Sequence, residues 1–142
     1  MIIAAIPITL IDVLWDKIAI HLEKAVELSN NETSLASIKN KALNGDLLLM
    51  TVNDSGEIIA AFTLEVILFD TGKRSLFLGS VGAKNETDLD NWMFQALKVC
   101  KAIAKDMNCT ELRGGSARKG WMRKLKDSGW KETHTTLVCE VT

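Results

Sequence analysis

The densest run of chemically capable side chains lies between Arg113 and Lys131. Arg113, Arg118, Lys119, Arg123, Lys124, Lys126 and Lys131 face a single carboxylate, Asp127, so the segment carries a surplus of six positive charges in a chain whose net charge is −1. Gly114, Gly115 and Gly120 let a ligand approach the backbone, Ser116 can donate a hydrogen bond, and a helix starting near Gly120 offers unpaired amides. An anion site built on Arg113, Gly114, Gly115, Ser116, Arg118, Lys119, Trp121 and Arg123 is one reading, with an acidic protein surface or a nucleic acid as occupant and Trp121 available to stack. The plain alternative is an amphipathic helix that turns Trp121, Met122 and Leu125 inward and leaves its basic face in water.

A second candidate is Glu65, a carboxylate in the middle of an apolar run. In a cleft, desolvation would favour its protonated form and make it a stronger base; on a half-exposed sheet face it is an ordinary surface residue. His134 and Cys139 resemble a base and nucleophile in type, but their odd separation puts them on opposite faces of a strand. His21 falls near the apolar stripe of a helix and reads as a packing or surface residue. Cys100, Cys109 and Cys139 form no CxxC and have no nearby histidines, so neither a disulfide framework nor a metal site is expected, and a reducing compartment fits.

These residues must be held by a folded core, and 142 residues with 47% apolar content suffice for one domain spanning 1–142. Met1 to Ile6 reads as a first strand rather than a signal peptide, and no stretch is apolar enough to span a bilayer, so a cytoplasmic protein is expected. Thr9 and Asp12 form a capping-box-like pair for a helix carrying Ile11, Leu14, Trp15, Ile18 and Leu22. A shorter helix around Leu35 to Ala42 follows, stopped by Asn44-Gly45. Strands at Leu47 to Val52, Glu57 to Phe69 and Ser75 to Val81, joined by Asn53-Asp54-Ser55-Gly56 and Asp70-Thr71-Gly72-Lys73, predict an antiparallel meander. Thr87 and Asp90 mark the start of a long helix with Trp92, Met93, Ala96, Leu97, Cys100 and Ile103 inward. A strand at Cys109 to Arg113, a helix at Gly120 to Asp127 and a last strand at Trp130 to Val141 complete an α+β domain, a mixed sheet flanked by about four helices.

That order, together with the ending AKDMNCTELRGGSARKGWMRKLKDSGWKE, resembles small phage-encoded members of the GNAT (acyl-CoA N-acyltransferase) superfamily. The matching residues are Asn108-Cys109, Leu112-Arg113-Gly114, Lys119-Gly120-Trp121, Arg123, Leu125 and Gly129-Trp130. The resemblance implies acetyl-CoA as a possible ligand, with Glu65 in the place of a general base. Two departures from the family pattern stand beside it. The Arg/Gln-x-x-Gly-x-Gly/Ala turn that cradles the CoA pyrophosphate is replaced by Val81-Gly82-Ala83-Lys84-Asn85-Glu86-Thr87-Asp88-Leu89-Asp90, with three carboxylates. The tyrosine that protonates the departing thiolate has no counterpart, since the chain contains none and its slot falls near Leu125 or Lys126. The expectation from these departures is a phage scaffold that has lost acetyl transfer, needs no cofactor and works as an accessory or virion-associated module, with a phage structural or host protein as partner. A divergent acetyl-CoA-dependent N-acetyltransferase and a phosphate or nucleic-acid module are the alternatives.

Overall fold

A computed structural model describes residues 1–85, 89–115 and 119–141, except for the side chains of 89, 90 and 119–121. Strand β1 (Ile2–Ala5) leads through a 3₁₀ turn to α1 (Ile11–Glu27) and α2 (Leu35–Leu43), and the strands β2 (Leu48–Asp54), β3 (Glu57–Leu68) and β4 (Arg74–Gly82) follow. Helix α3 (Leu89–Asp106), strand β5 (Glu111–Gly114) and helix α4 (Lys119–Asp127) complete the described elements. The five strands form one sheet in the order β1-β2-β3-β4-β5, antiparallel except for the parallel pair β4 and β5.

Period-two alternation sorts the strands' side chains onto two buried faces. Met50, Val52, Ala60, Phe62, Leu64, Leu76 and Leu78 meet Trp92, Met93, Ala96, Leu97 and Cys100 of α3. On the other face Leu49 and Ala61 join Ile11, Ile18 and Leu22 of α1 and Ile38 and Ala42 of α2. With both faces covered the strands read as near-continuous apolar runs. Ser55 and Gly56 take φ of 52° and 82° in the β2–β3 turn, the left-handed geometry that its Asp-Ser-Gly sequence favours.

The predicted boundaries of the meander agree with the structure to within two residues, but both ends of the chain differ from expectation. Helix α1 begins after a 3₁₀ turn with Leu10 at its N-cap and no side-chain cap, so the Thr9 and Asp12 pair forms no capping box. Helix α2 is capped instead, by the Ser34 hydroxyl accepting from Ser37 N–H. The capping pattern at Thr87 lies outside the described residues. The last expected strand is not formed: from Lys131 to Val141 the chain is exposed and in no ladder, with Leu137 at 90% and Val141 at 98% exposure. Gly129, with φ of 94°, ends α4 as read, yet the apolar pattern after it finds no neighbour to pair with. His134 and Cys139 therefore lie on an exposed segment and not across a strand. Among the described residues no helix is long and apolar enough to cross a membrane.

Candidate functional site

The parallel pair β4 and β5 is in register from Ser75 opposite Glu111 to Leu78 opposite Gly114, after which β5 stops and β4 continues to Gly82. Beyond Leu78 the pairing ends, β4 leading on to α3 and β5 to α4. In open sheets, ligands commonly bind outside the carboxyl ends of parallel strands, and helix N-termini favour anions, so the end of this ladder is the place to look for a site.

Strand β4 bulges where the parting begins. Phe62 pairs with Val81 and Leu64 with Leu78, so Gly79 and Ser80 together oppose Thr63. Ser80 N–H donates to Thr63 Oγ1 at 3.0 Å instead of to the ladder. A Cβ at position 79 would lie 2.9 Å from that oxygen, which explains a glycine there. A bulge redirects backbone groups, here immediately beyond the last β4–β5 pair.

The connection out of β4 is tied to α1. A Cβ on Gly82 would come within 2.0 Å of the His21 carbonyl oxygen, so helix and strand backbones touch at this point. Buried His21 spans the junction: Lys84 N–H donates to its Nδ1 at 2.9 Å, and its Nε2–H donates to the Ile58 carbonyl at 2.9 Å. That pair of partners selects the neutral Nε2–H tautomer. Burial lowers the His21 pKa below its usual value, opposed by the bond to Ile58 and reinforced by the Lys84 charge. An open cleft of about 450 Å³ beside it is lined by Ile20, His21, Glu23, Lys24, Ala83 and Lys84. Sequence reading placed His21 on a helix but missed this role, because its partners lie 37 and 63 residues away.

Glu65 stands on β3 opposite Phe77, on the α1/α2 side and two residues from Thr63, which is about 7 Å along the strand. Its side chain is 34% exposed and its carboxylate is 3.5 Å from Lys41 Nζ, so it borders the bulge as half of an ion pair.

Among the described residues of the basic segment, two cations are paired with carboxylates. The Arg113 guanidinium pairs with Glu111 on its own strand and lies 4.6 Å from the centre of the Phe69 ring. Gly114 packs close to the Leu78 carbonyl and the Trp130 ring, while Gly115 borders open space. Arg123 is exposed, and Lys126 pairs with Glu132 at 2.9 Å. Ser116 and Arg118 lie outside the described residues, as do the side chains of Lys119 and Trp121.

Glu111 was not singled out in the sequence, yet it collects Lys73, the Ser75 hydroxyl at 2.7 Å and Arg113. The Lys73 bond, then the Ser75 bond and then Arg113 bring its pKa down from 4.5 to about 2. The native state thus binds this proton less readily than the unfolded chain, so the stabilisation is complete above about pH 4.5 and is lost as pH falls towards about 2. Because solvent reaches the carboxylate, Glu111→Gln should cost about 1 kcal/mol near neutrality. Urea unfolding of both proteins should show that difference shrinking below about pH 4.5; a constant difference down to about pH 2.5 would contradict the assignment.

Cys100 offers no nucleophile, since burial pushes its thiol up to about 12. Among the described residues no cluster of histidine, cysteine or carboxylate side chains could hold a metal ion.

At the level of sequence, no family model and no curated protein matches the chain. Solved structures do match its shape. A probable acetyltransferase superposes with a TM-score of 0.76 at 15% identity, covering 100% of this chain and 99% of that one. The fold is GNAT-like. The ribosomal-protein-alanine N-acetyltransferase of Brucella melitensis biovar Abortus matches this GNAT-like chain with a TM-score of 0.73 at 11% identity, covering 99% of it and 100% of its own length. A predicted acetyltransferase of Clostridium acetobutylicum, solved with acetyl-CoA, gives 0.71 at 16% identity over 98% and 95% of the two chains.

Proposed function

We propose that the chain binds an acyl-CoA where β4 and β5 part and transfers the acyl group to an amine. The observation that carries this reading is the bulge at Gly79 and Ser80, placed where the pairing of the two parallel strands ends. The acetyl-CoA held by the Clostridium neighbour, which has the same fold, supports it. The first turns of α3 and α4, exposed Lys84 and Arg123, and the open space at Gly115 suit an anionic ligand; Glu86, Asp88 and Asp90 oppose one.

The thioester supplies the activated acyl carbon. An amine must lose a proton before it attacks, because its unperturbed pKa is about 10. Glu65, beside the bulge, is the carboxylate assigned to accept that proton through water, with Lys41 holding it in place. The C–N bond forms and the C–S bond breaks; the first proton of the ammonium passes from Glu65 to bulk water, and the second, shed by nitrogen once the C–N bond has formed, ends on the departing sulfur through solvent. A thiol has an ordinary pKa of about 8.5, so its thiolate leaves without the tyrosine that this chain lacks. Thiol release from acetyl-CoA in the presence of primary amines tests the reading. Glu65→Gln should lower the rate by about 100-fold, and an unchanged rate would remove Glu65 from the reaction.

A second reading is favoured by the absence of tyrosine and by the carboxylates after β4: a GNAT-like scaffold of phage origin, retained as an accessory or virion-associated protein-binding module without acyl transfer. Finding the polypeptide missing from purified particles would remove its virion part.

A further inference from the structure

Strand β5 forms one end of the sheet: it pairs with β4 and, among the described residues, with no other strand. A sheet edge is a row of backbone donors and acceptors, and proteins that keep it bare guard it with free charges, proline or a bulge. β5 has none of these. Its two charged residues, Glu111 and Arg113, neutralise each other, and its pairing runs unbroken from Glu111 opposite Ser75 to Gly114 opposite Leu78.

The chain also carries strand-like sequence that forms no strand. Residues 131–141 contain neither glycine nor proline and are rich in β-branched side chains, Thr133, Thr135, Thr136, Val138 and Val141. They lie exposed and in no ladder, and their described polar contacts are local, Glu132 with Lys126, Thr133 with His134 and Cys139 with Glu140. As a strand, the segment would set Leu137, Cys139 and Val141 on one face and His134, Thr136 and Glu140 on the other. β5 offers matching faces. Half-buried Leu112 borders the core under α3, whereas Glu111 and Arg113 stand on the opposite face, where no residue of β5 joins the α1 and α2 cluster.

We propose that β5 is a docking edge for residues 133–141 of a second copy of this chain, each copy lending its segment to the other in a closed dimer. The root of the segment favours this occupant. A Cβ on Gly114 would lie 3.7 Å from the Trp130 ring, so the segment leaves the fold beside the end of β5, with about 30 Å of extended chain to follow. A single chain has that edge within reach and leaves it open. When two copies bring their β5 edges together about a two-fold axis, both roots lie at the junction and the exchange closes on itself. β1, the other end of the sheet, is four strand spacings or about 19 Å from β5, so pairing there brings neither root to the junction. Docking supplies backbone hydrogen bonds along β5 and covers Leu137 and Val141, the most exposed large apolar side chains among the described residues.

The test uses the full chain. Sedimentation equilibrium at about 100 μM should give twice the 15.7 kDa of one chain. Adjacent N–H groups of a strand point to opposite edges, so the double variant Leu137→Pro/Val138→Pro removes one donor to β5 whatever the register. Both positions are exposed and outside any ladder, so the fold of one chain is kept, while the dimer dissociation constant should rise about tenfold or more. In a dimer mixed from ¹³C-labelled and ¹⁵N-labelled chains, nuclear Overhauser contacts between copies should join residues 111–114 of one to residues 133–141 of the other. A chain that stays monomeric, a dimer indifferent to the two prolines, or β5 contacts with the segment of the same copy only would overturn the proposal. Open-ended polymers would overturn it too, since they require exchange without closure. None of these readouts involves acetyl-CoA, so they decide the dimer separately from acyl transfer.

Discussion

Gly82→Ala is expected to destabilise the protein by about 3 kcal/mol or more, at the upper end of what overpacking usually costs. The added methyl would sit 2.0 Å from the His21 carbonyl oxygen, 3.2 Å from its carbon and 3.8 Å from Leu22 Cα. All three are backbone atoms of α1, which cannot swing aside as the end of a flexible side chain would. The helix must lift from β4, loosening Ile18 and Leu22, both fully buried. The glycine is not there for an unusual dihedral, since it is not among the residues of positive φ, so the whole effect is steric. Urea denaturation should show a lowered midpoint with an unchanged slope. A loss below about 1 kcal/mol would mean that α1 and β4 are not in backbone contact.

Trp92→Ala should cost about 3–5 kcal/mol, the range for removing a large aromatic from a closed core. Trp92 is 1% exposed and is the largest fully buried side chain among the described residues, held among those that join α3 to the sheet. Trp15 serves as the contrast: it is half-buried on α1 with Lys39 Nζ 5.9 Å from its ring centre, and truncating it should cost less. Parallel unfolding curves of the two variants check the order, and equal losses would contradict the placement of Trp92.

The meander was legible because each cue was local. Apolar runs of strand length alternate with turns such as Asp54-Ser55-Gly56, and the helical stripes of α1 and α3 repeat at steps of three and four. The bulge was legible only in part: a lone glycine inside an apolar strand, Gly79, is its usual mark, but its partner Thr63 comes from tertiary register. The contacts of His21 could not be read, since nothing near it in sequence announces Ile58 or Lys84. Glu111 was hidden in the same way, its acceptor role depending on Lys73 and Ser75 across the β4–β5 pair. The basic segment shows the converse. Its charges were plain in the sequence, but not that the fold commits Arg113 to Glu111 and Phe69 and Lys126 to Glu132. The segment after Gly129 has strand-like composition without a strand, because a strand also requires an edge to pair with, and none accepts it here.

The most direct measurement of the central claim is a calorimetric titration of the native protein with acetyl-CoA at neutral pH. Saturable binding at micromolar strength, about −8 kcal/mol, is the result expected of an acyl-CoA site at the parting of β4 and β5. No detectable heat, together with no shift in the thermal unfolding midpoint at millimolar ligand, would contradict it and leave the GNAT-like scaffold with a task other than acyl transfer.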